Sequence, residues 1–187
     1  MIYVFYGNEP FLIDKEINKI IKNNNISDFN ISNYDLSIDN IQDVIDDALT
    51  ISLFDEKKAI IVNNAYIFTG STIKKDKEDN NDILLEYLEH INQDSIIIFI
   101  SDSEKLDERK KIVKALHKSV NIKSFIKNNN PSEIIKEWLQ ELKISYNDIN
   151  LLISRVGTDL GILEQEIEKI KIYKDQDREI TKEDIIN

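Results

Sequence analysis

The sequence contains no cysteine, which excludes disulfides, thiolate nucleophiles and cysteine-ligated metals. Glycine is nearly as scarce, occurring only at Gly7, Gly70, Gly157 and Gly161. No two of these are five apart, so a phosphate-binding loop of the form GxxxxGKS/T cannot be written, and a GxGxxG dinucleotide fingerprint is equally impossible. Where a phosphate loop would follow the first strand, the chain reads YGNEPFLID, with no lysine to reach a β- or γ-phosphate. Histidine occurs only at His90 and His117. Both fall near predicted helix C-termini, where a partly charged imidazole complements the helix dipole, and no HxxxH spacing or carboxylate set points to a metal. Long apolar runs are absent as well. Runs such as Ile96 to Ile100 are far too short to span a bilayer, and the N-terminal MIYVFYGNEP lacks the basic segment and long apolar stretch of a signal peptide. A cytoplasmic protein without cofactor or catalytic constellation is the economical reading.

What the chain does contain is the composition of a folded protein: 187 residues, 41% hydrophobic and 32% charged. Thirty-five acidic residues against 24 basic ones give a net charge of −11. That average field repels a phosphate backbone, so DNA is expected to be touched only indirectly or weakly. Arginine is confined to Arg109, Arg155 and Arg178 while isoleucine, asparagine and lysine abound, a bias read as that of an AT-rich genome.

Elements alternate over the first two thirds. Ile2 to Tyr6 is β-prone and closes on Gly7; Asn8 and Pro10 then open a helix carrying Phe11, Ile13, Ile17, Ile20 and Ile21. Strands are expected near Phe29–Tyr34, Lys58–Val62, Ser95–Ser101 and Val120–Phe125, and helices near Asp39–Ser52, Asp82–Ile91 and Leu106–Lys118. Such alternation predicts an α/β fold with a parallel sheet and helices on both faces, and the doubly apolar SIIIFIS is its central strand. Between Ile67 and Asn81 a polar, mobile loop is expected. KNNNPSE (127–133) reads as a linker, which divides the chain into domains at 1–127 and 128–187. Everything after it reads as helix, at roughly 132–142, 146–156 and 158–174, with Gly157 as a stop and Thr158 or Asp159 as a cap. Thr181 looks like the N-cap of a helix barely begun, so the chain reads as part of something longer.

Two surface features stand out. Ile41, Val44, Ile45, Ala48 and Leu49 follow helical spacing and form a core stripe. At about 100° per residue, Leu53 lies about 120° and Phe54 about 220° from Ile41. If the helix persists, neither faces the core; if it stops near Ser52, both sit in an apolar loop tip beside Asp55, Glu56, Lys57 and Lys58. On the residues alone two readings stay open: one of the pair tucks beneath the sheet, or both form an exposed anchor. The second feature is the helix 106–118, whose lysines Lys110, Lys111, Lys114 and Lys118 gather away from the stripe of Leu106, Ile112, Val113 and Leu116. A solvated face is the plain reading; contact with DNA or an acidic partner is the alternative.

Four stretches, YVFYGNEPFLIDKEINKI, ISLFDEKKAIIVNNA, EKLDERKKIVKAL and GTDLGILEQEIEKI, occur in the order they take in a known family. On them the chain resembles the N-terminal part of the delta subunit of bacterial DNA polymerase III, the clamp-loader subunit that opens the sliding clamp during DNA replication. The resemblance implies a RecA-like domain of the AAA+ type without a working nucleotide site, then a small helical lid domain, with a helical collar domain to follow. It implies a non-hydrolysing subunit whose partners are the sliding clamp (the beta subunit) and, in the full-length protein, the tau/gamma and delta prime subunits. By match to SLF, the clamp-binding role falls to Leu53 and Phe54, with Ser52 and Ile51 as flanking contacts. Family assembly runs mainly through the collar, so this chain alone is expected to be monomeric.

Overall fold

A computed structural model describes residues 1–50, 57–70, 81–128, 130–140, 142–173 and 179–186, and for 81 and 186 the backbone only. It divides into two compact units, Met1–Lys127 and Asn128–Asn187.

The first unit alternates as its apolar spacing requires: β1 (Ile2–Tyr6), α1 (Pro10–Asn23), a 3-10 turn (Asp28–Asn30), β2 (Ile31–Asp35), α2 (Ile41–Leu49), β3 (Lys58–Asn63), a 3-10 turn (Tyr66–Phe68), α3 (Asn81–Glu89), β4 (Ser95–Ser101), α4 (Lys111–Ser119) and β5 (Asn121–Ser124). All five strands are parallel, in the order β2-β3-β4-β1-β5. β4 is central: Ile97 stands beside Ile2 of β1 and Ile60 of β3. Because side chains alternate along a strand, Ile2, Val4, Ile60, Val62, Ile97 and Phe99 face one way and pack under α2, α3 and α4. Phe5, Ala59, Ile96 and Ile98 face the other way, under Ile13, Ile17 and Ile20 of α1. Each fully buried isoleucine contributes roughly 1.5–3 kcal/mol, which is why SIIIFIS is apolar on both faces. The α/β class, with a parallel sheet covered on both sides, is therefore as expected.

Several boundaries differ from the sequence reading. α2 ends at Leu49, not near Ser52: Thr50 is already extended (φ −70°, ψ 129°). Leu49, assigned to the core stripe, is half exposed, because eight residues on from Ile41 it lies at the edge of the stripe, about 80° round. β2 begins at Ile31, and Phe29 stands in the 3-10 turn before it, fully exposed. Ile67 does not open a loop. With Phe68 it is core, and the Phe68 ring meets Phe99 edge-on at 5.1 Å. The rest of the expected mobile loop, 71–80, lies outside the described residues. α4 starts at Lys111 and not at Leu106, because the Asp107 carboxylate accepts from the Arg109 backbone N–H (3.1 Å), a turn bond that competes with helix.

The second unit contains α5 (Ser132–Trp138), β6 (Lys143–Ile144), α6 (Tyr146–Val156), α7 (Leu160–Tyr173), β7 (Glu179–Ile180) and α8 (Lys182–Ile186). Ile135, Leu139, Ile149, Leu152, Leu163, Ile167, Ile180 and Ile185 are buried. Ser145 caps α6, accepting from the Asp148 N–H at 3.2 Å. Gly157, at φ +94°, ends it, and Asp159, not Thr158, caps α7 through the Ile162 N–H at 3.0 Å. This unit is not helix throughout. β6 and β7 pair in parallel, Ile144 beside Ile180, a two-residue ladder too short to leave an alternating pattern in the sequence. No helix among the described residues is long and apolar enough to cross a membrane.

Candidate functional site

The turn after β1 is where a fold of this layout would hold phosphates, and its groups are otherwise engaged. The Gly7 N–H donates to Ser101 O (3.0 Å) and the Glu9 N–H to Phe125 O (3.1 Å). Asn8 is held from both sides: its amide donates to Glu104 Oε1 (2.8 Å) and its Oδ1 accepts from the Lys127 N–H (2.7 Å). Gly7 is at φ +136°, and a Cβ there would lie 2.0 Å from Phe125 O. The chain after β5 thus fills the space over the turn. Glu9, buried at the start of α1, puts a carboxylate where the helix dipole would favour an anion. Nucleotide phosphates do not fit these residues. They would meet a buried carboxylate and N–H groups already bonded, with no lysine in the turn.

At the opposite, N-terminal end of the parallel strands, α2 gives way to β3, and the ends of that connection are closely held. A helix leaves its last carbonyls without partners; here the sheet supplies them. Ala48 O accepts from Ser95 Oγ (2.7 Å) and Asn92 Nδ2 (2.9 Å), and Ser95 is fully buried. Lys58 Nζ donates to Asp47 O and to Asp47 Oδ1 (3.0 Å), so the first residue of β3 holds the last turn of α2. Tyr34 Oη donates to the other carboxylate oxygen of Asp47 at 3.3 Å, and burial, then the Asp47 charge, raises the tyrosine pKa. Thr50 closes the helix, its N–H on Asp46 O and Asp47 O and its hydroxyl on Asp46 O. On the far side, the Lys58 N–H donates to Asp94 O (3.0 Å) and Lys57 Nζ to Asn24 Oδ1 (3.2 Å). The Met1 ammonium donates to Ser95 O (2.6 Å); burial, then the charge of Lys57, lowers its pKa. Ile51, Ser52, Leu53 and Phe54, the residues singled out from the sequence, lie outside the described residues, between these two ends.

Asn92, Ser95 and the Lys58–Asp47 pair escaped the sequence reading. The only available signal was a serine opening a strand that is apolar on both faces, and it does not reveal which carbonyl the hydroxyl meets.

The lysine face is smaller than the sequence suggested. Lys111, Lys114 and Lys118 are exposed at i, i+3 and i+7 on α4. Lys110 precedes the helix and donates to Ile67 O at 3.0 Å, a structural bond. His117 meets the exposed Glu108 carboxylate at 3.1 Å. No group of three metal-ligating side chains occurs among the described residues.

The family model described as DNA polymerase III, delta subunit, matches residues 3–126. The chain belongs to the DNA polymerase III delta subunit family. It is 30% identical over 192 residues to DNA polymerase III subunit delta of Bacillus subtilis (strain 168), covering 98% of this chain and 55% of that relative. Among solved structures it is similar to the Bacillus subtilis DNA clamp loader delta protein YqeN, at a TM-score of 0.89 and 28% identity, over 99% of this chain and 57% of that one. The chain thus spans little more than half the length of these delta subunits. Its five-stranded parallel sheet is of the RecA-like AAA+ type found in clamp-loader proteins.

Proposed function

We propose that this chain is the clamp-contacting portion of a clamp-loader delta subunit: it binds the sliding clamp and helps to open it. Leu53 and Phe54 enter an apolar pocket of the clamp, flanked by Ile51 and Ser52. The observation that carries this reading is the fastening of both ends of the segment. The last carbonyls of α2 and the first residue of β3 are bonded to one another and to Ser95 and Asn92 beside β4, so the chain enters and leaves the segment at fixed points. A pair of anchors between such points loses less freedom on binding than a pair on a loose loop.

Residues 1–127 act as an AAA+ type domain that neither binds nor hydrolyses nucleotide. The committed donors around Gly7 and the buried Glu9 support that assignment. Residues 128–187 form the lid domain, and the full-length protein joins the tau/gamma and delta prime subunits. DNA contact through Lys111, Lys114 and Lys118 is the weaker reading, since Lys110 is spent on Ile67 O and the chain carries −11 overall. The test is a titration of this chain into its cognate clamp labelled across the ring interface. Saturable binding with separation of the labels is expected; a clamp that is neither bound nor opened contradicts the reading.

A further inference from the structure

Phe29 is 100% exposed, the most exposed large apolar side chain among the described residues. Its neighbours are not. Ile26 is buried and Ile31 packs against the α1 side of the sheet. The 3-10 turn between them is closed by the Asn30 N–H on Ser27 O (2.9 Å) and the Ile31 N–H on Asp28 O. Local hydrogen bonding therefore holds the ring outward while the flanking isoleucines go in. Single exposed apolar residues are ordinary; what distinguishes this one is its place. β2 and β3 are parallel, with Ile31 beside Ala59, so the chain entering β2 runs next to the chain entering β3. Lys57 Nζ bridges the two approaches through Asn24 Oδ1 at 3.2 Å. Leu49, half exposed, is the last residue of α2, the helix that leads into that connection. Phe29 and Leu49 thus supply exposed apolar surface on the two elements adjoining the connection assigned above to the clamp.

We propose that Phe29 is a second apolar anchor for the sliding clamp, covered by the clamp surface adjoining the pocket that takes Leu53 and Phe54. The proposal rests on the clamp-binding reading and adds a separate contact to it. A phenylalanine offers a large rigid area at the cost of few torsions, the kind of side chain that dominates binding energy at protein interfaces.

The experiment titrates fluorescently labelled cognate clamp with the wild-type chain and with Phe29→Ala, Phe29→Leu and Leu53→Ala. Phe29→Ala should weaken binding about tenfold, Phe29→Leu by less, and both should melt with the wild type because the ring is outside the core. The chain has no cysteine, so a Phe29→Cys variant carries a single thiol; it should react with a maleimide in the free chain and be shielded in the complex. If Leu53→Ala loses affinity while Phe29→Ala binds as the wild type and the thiol stays reactive, Phe29 lies outside the interface and this proposal alone fails. If the wild-type chain does not bind the clamp, the underlying reading fails with it. A concentration-dependent dimer dissolved by Phe29→Ala, with clamp affinity unchanged, assigns the ring to a second copy and overturns the proposal.

Discussion

Gly7 shows how one residue decides what a familiar turn can hold. Its φ of +136° and the 2.0 Å separation between an added Cβ and Phe125 O leave no room for a side chain. Gly7→Ala should cost more than about 3 kcal/mol by displacing the chain after β5, seen as an early thermal melt. Asp107 is a second case. It receives the Arg109 guanidinium at 2.8 Å through both Nε and Nη2, and the Arg109 backbone N–H. Those hydrogen bonds hold its pKa down to about 2. A carboxyl with a lower pKa folded than unfolded contributes stability above the unfolded value and loses it as pH falls through the folded one. Arg109→Gln should therefore move the Asp107 titration, followed by NMR, back up toward the ordinary carboxylate range. An unmoved titration would mean that the pair does not form in solution.

At the scale of elements, the sequence predicts best where one force dominates. β4 runs over Ser95–Ser101 and α6 over Tyr146–Val156 as read, because a doubly apolar run and a capped amphipathic stretch ending in glycine each have one good solution. It predicts less well where competing interactions set the boundary. α2 stops three residues early because Thr50 turns its hydroxyl back to Asp46 O and the chain leaves extended. Lys110 looks like part of a helical cation face until its bond to Ile67 O is seen, and no local pattern encodes a partner 43 residues away. The Ser95 hydroxyl on Ala48 O is legible only in three dimensions, and it satisfies one of the last carbonyls of α2. Ser95→Ala leaves that buried carbonyl with the Asn92 amide alone. It should cost about 1–2 kcal/mol and speed hydrogen exchange at the Thr50 amide more than at amides of β4. Uniform acceleration throughout the unit would instead report a general loss of stability.

For the whole molecule, the sheet layout and the missing phosphate loop were both readable from alternation and from four glycines. How the empty turn is filled, by Phe125 and Asn8, was not, because those contacts join residues more than a hundred positions apart. The chain is predicted to show no saturable binding of Mg-ATP by calorimetry; micromolar binding would refute the account of the Gly7 turn. A clamp anchor and core packing have separable consequences. Leu53→Ala and Phe54→Ala should each weaken clamp binding by roughly 1.5–3 kcal/mol, on the order of ten- to a hundredfold, and leave the melting temperature nearly unchanged. Ile45→Ala, on the buried stripe of α2, should cost roughly 2–5 kcal/mol of stability through a cavity and touch binding only indirectly. The most direct test pairs thermal melts with clamp affinities for these three variants. The Leu53 and Phe54 variants should melt with the wild type but release the clamp; if they melt as early as Ile45→Ala, the pair belongs to the core and the anchor does not exist.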